Sequence, residues 1–173
     1  MDLYTAIKNR RSVRQYTEET LPEGALDTIV KAGLLSATGH GKRPWELVVV
    51  TDHGKLEELS TCRIPGKMLA GAQAAIVVLG DEELSDTWIE DCAIVMTNMH
   101  LMADYLGVGS CWIQVRNRMR SEAESTEAYV RQCLHIPENR KVAAILSLGM
   151  PANHPAPNEW DELGKDKIHY ECY

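Results

Sequence analysis

The sequence lacks an excess of positive charge, a long apolar run and any feature of an exported protein. Its 173 residues hold 18 Lys and Arg against 25 Asp and Glu, a formal net charge of -7, which argues against broad electrostatic binding to nucleic acid or to anionic membranes. No stretch approaches the ~20 apolar residues of a membrane span, and no early segment has the form of a signal peptide. We therefore expect a cytoplasmic protein without nucleic-acid or membrane partners, folded as one domain over residues 1–173.

Several ligand-binding motifs are also missing. The five cysteines contain no C-x-x-C pair and the six histidines form no H-x-x-x-H pair, so neither a disulfide framework nor a metal site is predicted. No G-x-x-x-x-G-K-[ST] phosphate loop occurs, and "TDHGKLEE" after the first predicted strand is not the G-x-G-x-x-G turn of a dinucleotide-binding fold. Phosphate-loop, doubly wound dinucleotide and zinc chemistry therefore have no support in the sequence.

Apolar periodicity predicts alternating helices and strands. Asp2 can cap a first helix, Pro22 is placed to begin a second, and residues 88–106 predict the longest helix, which is apolar around most of its circumference. Four short runs that are nearly apolar throughout predict strands covered on both faces. They are "WELVVV" from Trp45, "AAIVVLG" from Ala74, "GSCWIQV" from Gly109 and "VAAILSLG" from Val142. Together these elements predict a sheet between helical layers.

The stretch "NRRSVRQY", residues 9–16 and here named the arginine segment, concentrates positive charge that the rest of the chain lacks. It holds Arg10, Arg11, Ser12 and Arg14 at the predicted end of the first helix. A basic pair alone would be explained by its favourable interaction with the helix dipole. Guanidinium groups together with a hydroxyl are matched donors for a phosphate monoester, which presents acceptor oxygens and negative charge. The arginine segment therefore predicts a phosphate-binding site.

Five segments, in order, resemble the nitroreductase family of FMN-dependent oxidoreductases in its compact version. They are "AIKNRRSVRQYTEETLP", "LLSATGHGKRPWELVVVTD", "GKMLAGAQAAIVVLGD", "YLGVGSCWIQVR" and "AILSLGMPA", and they cover about residues 3–152. The resemblance implies a nitroreductase-like α+β fold, a three-layer α/β/α arrangement with a central mixed sheet. It also implies a homodimer with FMN bound in the interface and with the C-terminal segment exchanged between subunits.

An enzymatic activity follows from the same resemblance. Family members pass hydride from NADH or NADPH through the flavin N5 atom to a small conjugated acceptor, such as a nitroaromatic or a quinone, in a ping-pong order. The flavin carries the chemistry, so no catalytic side chain is expected. The sequence does not distinguish NADH from NADPH or identify the physiological acceptor. A flavin-binding carrier or redox-responsive regulator without turnover is the alternative function.

Roles of individual residues are implied in the same way. The arginine segment would hold the FMN phosphate and ribityl chain, with one basic residue near the flavin N1/C2 edge. Lys67 matches a position where a second lysine of the family commonly approaches that edge. The alternative is that Lys67 is an ordinary surface lysine. Gly107, Val108 and Gly109 match a loop that passes the flavin near N5, although a helix end followed by a turn also explains the glycines.

The segment from residue 37 to residue 43 departs from the family pattern. Thr38 and Gly39 are still expected to contact the flavin, because they occupy the matching positions. His40 and Arg43 could meet an anionic acceptor or the nicotinamide donor, or could belong to a solvated loop. The flavin contacts of this segment are therefore expected to differ from those of other members.

The C-terminal tail, residues 154–173, is expected to wrap around a second subunit. Its end, "KIHYECY", alternates polar and apolar residues with the period of a half-buried strand. Prolines in the preceding "NHPAPNEW" keep the chain extended. The tail lacks the clear basic pair of longer family members, and Lys165 and Lys167 are the residues that could close the phosphate site.

Overall fold

A central sheet of four strands organises the computed structural model, which describes residues 2–160 and 163–173. The strands form where the apolar runs predict them, and they lie in the order β1-β2-β4-β3. They are β1 (Trp45–Val50), β2 (Ala74–Gly80), β3 (Gly109–Gln114) and β4 (Lys141–Gly149). All neighbouring strands pair antiparallel. The expected mixed sheet is corrected in this detail, since parallel pairing in the described residues is confined to a bridge between Ser12 and Ser110.

Five α-helices occur in the part of the chain that is described. They are α1 (Leu3–Asn9), α2 (Ala25–Leu34), α3 (His53–Ser60), α4 (Trp88–Tyr105) and α5 (Thr126–Leu134). Helices α2 to α5 cover the two faces of the sheet, and α1 contacts α4. The Asp2 carboxylate accepts the Thr5 N–H at 2.9 Å and so caps α1 as predicted. Helix α2 begins later than predicted from Pro22. Its N-cap is Gly24 in the left-handed conformation at φ 73°, and the Pro22 carbonyl accepts the Ala25 N–H at 3.0 Å in the turn that precedes it.

Two hydrophobic clusters fill the space on either side of the sheet. Side chains alternate along β2, so that Ile76 and Val78 face the cluster formed with α2 and α4, whereas Val77 and Leu79 face the cluster formed with α3 and α5. Burial on both faces explains why the strands read as continuous apolar runs. The predicted arrangement of a sheet between helical layers is therefore confirmed.

Helix α4 is the longest helix and lies within the first of these clusters. It packs closely on α2, because a Cβ on Gly33 would stand 2.8 Å from the Met99 side chain. Ile89 and Ile94 on another face remain 36% and 37% exposed. No helix in residues 2–160 and 163–173 has both the length and the apolar character needed to cross a membrane.

The end of the chain lies apart from the core of its own subunit. Residues 168–173 lie exposed and form no strand, and a short 3-10 turn, Lys165–Lys167, precedes them. The sequence predicts that this segment pairs with a second subunit, and that pairing stays a prediction. A strand needs a neighbouring backbone for its hydrogen bonds, and the described residues of the same chain provide none here.

Candidate flavin site

The arginine segment lies along the ends of β3 and β4, where backbone contacts hold it. Val13 donates its N–H to the Ser110 carbonyl at 2.9 Å, and Tyr16 forms an isolated antiparallel β-bridge with Pro151. Val13 is 1% exposed, while Ser12 is half-buried and Arg14 is exposed. Because side chains alternate along an extended backbone, burying Val13 turns its neighbours away from the core.

Close packing against two glycines brings this segment to the sheet. A Cβ on Gly109 would stand 2.8 Å from Val13 Cγ1 and 3.0 Å from the Gly149 carbonyl oxygen, and a Cβ on Gly149 would stand 2.6 Å from the Tyr16 ring. Gly107 adopts φ 74°, just after α4, with open space around its Cβ position. Within one subunit, then, Gly109 serves packing and Gly107 serves the turn that follows the helix. Close approach to a flavin stays a prediction for both.

Tyr16 fixes the far end of the segment. Its hydroxyl donates to the Val13 carbonyl at 3.0 Å and lies 2.7 Å from the Ser147 hydroxyl on β4. Burial raises the pKa of Tyr16 far above its ordinary value, so the phenol keeps its proton. The segment is thus held by a neutral hydrogen-bond donor as well as by backbone contacts.

Arg10 and Ser12 line a cleft of ≈ 390 Å³ together with Thr97 and His100 of α4 and Trp112 of β3. Its volume lies within the usual range for small-molecule sites, roughly 300 to 1,000 Å³. The sequence prediction missed the last three of these residues. A polar residue such as His100 inside an otherwise apolar helix is the signal that could have indicated one of them.

His100 is the polar centre of the cleft wall and is 6% exposed. Its Nε2 atom lies 3.2 Å from Arg10 Nη1, and its Nδ1 atom lies 2.5 Å from the Ser110 hydroxyl. Burial and the neighbouring Arg10 charge lower the pKa of His100 to about 4. The imidazole is therefore neutral near pH 7.

Arg11 and Arg14 make contacts outside this cleft. Arg11 donates to the carbonyl of Ala156 at the start of the tail. Arg14 is exposed, and its Nη1 lies 3.5 Å from the Ser12 carbonyl, at the limit of a hydrogen bond. Within the arginine segment, therefore, Arg10 lines the cleft, Arg11 contacts the tail and Arg14 is exposed.

The segment around residues 38–43 is tied to α4 by one buried carboxylate. Asp91, 3% exposed, accepts the Thr38 hydroxyl at 3.0 Å and the Gly39 N–H at 3.2 Å. His40 and Arg43 are exposed and adopt φ 53° and 48°, a strained conformation for residues other than glycine. None of these residues lines the cleft of the same subunit.

Three other predicted contacts also lie outside that cleft. Lys67 is exposed on the 3-10 segment Ile64–Gly71, and Lys167 is exposed in the tail. Val108 is buried in the core beside α4, where its N–H donates to the Ala103 carbonyl at 2.8 Å. Their roles toward a flavin stay predictions.

Comparison with known proteins identifies the fold and its family. A family model described as "Putative TM nitroreductase" matches residues 2–156. The chain belongs to this nitroreductase family. The matched region contains the arginine segment, the cleft and the strained segment, and it ends near the start of the tail.

Individual members of the family are similar over nearly their whole length. A curated relative from Archaeoglobus fulgidus, named "Putative NADH dehydrogenase/NAD(P)H nitroreductase", is 36% identical over 170 residues, which cover 95% of each protein. A relative of the same name from Methanothermobacter thermautotrophicus is 33% identical, over 99% of this chain and 87% of its own. The solved structure of an FMN-dependent nitroreductase from Clostridium difficile R20291 has a TM-score of 0.94 and 39% identity, covering 97% of this chain and 98% of that one. The nitroreductase-like fold inferred from the sequence is confirmed.

Replacing Gly109 by alanine should destabilise the protein by about 1–3 kcal/mol, because the added methyl group would overlap Val13 and the Gly149 carbonyl. Gly71→Ala is the matched control, since nothing lies within 4 Å of its Cβ position. Urea unfolding of both variants measures the difference. Equal stability of the two variants would contradict tight packing of the arginine segment on β3.

Proposed function

We propose that this chain is a homodimeric, FMN-dependent oxidoreductase that takes hydride from NADH or NADPH and passes electrons to a small conjugated acceptor in a ping-pong order. The observation that carries the proposal is the cleft in which Arg10 and Ser12 lie together, in a chain of the nitroreductase family. The names of the relatives, which include NAD(P)H nitroreductase and FMN-dependent nitroreductase, support it. A cytoplasmic location is part of the proposal.

The residues of the cleft fit the chemistry of FMN. A guanidinium and a hydroxyl supply donors for a phosphate group. Trp112 adds aromatic surface, and Thr97 adds a second hydroxyl. FMN would supply the hydride and electron transfer when bound, and the chain supplies binding, polarity and access.

We assign roles to the arginine segment on this basis. Arg10 and Ser12 would hold the phosphate and the ribityl chain from within the cleft. Arg14 would place positive charge near the flavin edge, which stabilises negative charge developing there. Arg11 would contribute less directly, because it already donates to Ala156 at the start of the tail.

The remaining predicted contacts form an outer set in this proposal. Thr38 and Gly39, which Asp91 holds in place, would touch the flavin of one of the two sites. His40 and Arg43 beside them would meet the acceptor or the nicotinamide donor. The loop at residues 107–109 would border the ring, and Lys67 and Lys167 would add positive charge at the margin.

The homodimer is proposed from surfaces that one subunit leaves open. Strand β1 has β2 as its hydrogen-bonded neighbour and lies at the end of the strand order, so no strand in residues 2–160 and 163–173 pairs with its other edge. An apolar groove of ≈ 710 Å³ adjoins this strand and contains Leu21, Leu26, Val30 and Val49. We propose that the end of the tail from a second copy docks along this edge and its groove. An unpaired strand edge is a ready template for an added strand.

The start of the tail is anchored on its own subunit. Lys8 pairs with Glu159 at 3.2 Å, and its carbonyl accepts the Asn158 N–H at 3.3 Å. Beyond this point Ile168 and Tyr170 are 53% and 82% exposed. Exposed apolar residues after an anchored stretch support docking of this end on another chain.

Purified protein should be yellow and should release about one FMN per chain on denaturation. Replacing Arg10 and Arg14 together by alanine should weaken FMN binding by about a hundredfold or more, because charge-assisted contacts contribute about 1.5–3 kcal/mol each. Fluorescence titration measures the dissociation constant, with the exposed Arg118→Ala as control. Colourless protein without saturable FMN binding would refute the proposed cofactor, and unchanged affinity in the double variant would return the arginines to a helix-terminus role.

Turnover should be visible in two separate half-reactions. Anaerobic mixing with NADH and with NADPH should bleach the flavin absorbance, and later addition of a quinone or a nitroaromatic should restore it. Stopped-flow absorbance follows both steps. Failure of both donors, in protein shown to hold FMN, would contradict the enzyme and favour a flavin carrier.

Deleting residues 166–173 should weaken the dimer and lower FMN occupancy together. Light scattering measures the mass, and absorbance measures the flavin content of the same sample. If one face of the tail docks, Ile168→Asp with Tyr170→Asp should reproduce the deletion, whereas the control His169→Ala with Glu171→Ala should not. A truncated protein that stays dimeric and fully loaded would show that the tail is a surface appendage.

A further inference from the structure

The buried histidine of the cleft contacts residues from two other parts of the fold. His100 reaches from α4 to two other elements, with Arg10 at 3.2 Å from Nε2 and the Ser110 hydroxyl at 2.5 Å from Nδ1. Arg10 follows α1 directly, and Ser110 belongs to β3. Both ring nitrogens are therefore engaged, one of them with the guanidinium that lines the cleft.

The chemistry of the partners determines which nitrogen carries the proton. A guanidinium donates hydrogen bonds and accepts none, so Nε2 must be the acceptor for Arg10. The proton then sits on Nδ1 and is donated to the Ser110 oxygen. A protonated imidazolium would instead place two cations 3.2 Å apart, and burial together with Arg10 opposes it by lowering the pKa of His100 to about 4.

A neutral acceptor orients Arg10 without cancelling its charge. Some other arginines of the chain are held by carboxylates. Arg131 pairs with Glu127 at 3.0 Å, and Arg140 contacts Glu46 at 2.6 Å. In residues 2–160 and 163–173, no carboxylate forms a salt bridge with Arg10. Within these residues the charge of Arg10 is therefore not neutralised, so an anion in the cleft can pair with it.

We propose that His100 is a positioning residue that holds the Arg10 guanidinium in the direction needed to bind the cofactor phosphate. This inference rests on the proposed function, because it concerns the same cleft. An arginine restrained before binding loses less rotamer freedom when its ligand arrives, so the affinity for the phosphate rises. The neutral Nδ1 tautomer also links the position of Arg10 to Ser110, whose carbonyl accepts the Val13 N–H at 2.9 Å.

The comparison of FMN with riboflavin isolates this role, because riboflavin lacks the phosphate. In His100→Leu, which removes the acceptor, FMN should bind about tenfold more weakly, the effect of one lost hydrogen bond of ~1.4 kcal/mol, while riboflavin affinity changes less than about twofold. His100→Gln, whose carbonyl oxygen can accept from Arg10, should recover most of the FMN affinity. Fluorescence titrations of the full chain measure both ligands. Should His100→Leu fail to fold, His100→Asn, with a shorter reach, takes its place under the same expectation.

A double-mutant cycle provides the second readout. After Arg10→Leu, the further change His100→Leu should leave FMN affinity unchanged, because the group that it orients is gone. Equal weakening of FMN and riboflavin in His100→Leu, or additive effects in the cycle, would overturn the positioning role and leave a core histidine. A wild-type protein that binds FMN no better than riboflavin would instead refute the proposed phosphate site itself.

Discussion

The contact between the arginine segment and the ends of β3 and β4 is the constraint on which the candidate site depends. It requires two glycines on the strands, because the backbone and Val13 approach more closely than a Cβ would allow. Tyr16 then closes the contact with a phenol that burial keeps protonated. A short run of charged residues after a seven-residue helix would otherwise be free to move, and a binding site needs its donors in fixed positions.

Arg10 lies in the cleft without a salt bridge to any carboxylate of residues 2–160 and 163–173. The chain has a formal charge of -7. Most of the ion pairs that its described arginines and lysines form lie at the surface. Arg10 is different, since its partner is a neutral imidazole inside the cleft. Surface ion pairs contribute little to stability, whereas a guanidinium that no carboxylate neutralises binds anions well in a partly buried cleft.

The cleft and the proposed dimer meet at the same short stretch of chain. Lys8 near the end of α1 and Arg11 just after it contact the start of the tail. Arg10 and Ser12, beside Arg11 in the sequence, line the cleft. If the end of the tail pairs with another subunit, then subunit association and cofactor binding share these contacts. Mass action would then couple them, because each event stabilises the arrangement that the other uses.

The sequence by itself was sufficient to predict the strands, the longest helix and the family, whereas the phosphate-binding role of the arginine segment stays a prediction. Strand and helix periodicity is a local property, so β1 to β4 and α4 formed where the apolar pattern placed them. The start of α2 was misjudged, because Gly24 in the left-handed conformation places the helix start after Pro22. Antiparallel pairing throughout the four strands could not be read from apolar runs that suit either direction.

Only the tertiary structure decided which residues share the cleft. His100 and Trp112 are distant from Arg10 in sequence, and the packing of α4 and β3 brings them together. In the folded chain Arg11 contacts the Ala156 carbonyl, outside the cleft that Arg10 and Ser12 line. The absence of a Cβ on Gly109 lets the arginine segment approach the sheet closely. The end of the tail depended on its surroundings most of all. An alternating sequence becomes a strand only when another backbone supplies the hydrogen bonds, and a single subunit supplies none there in the described residues.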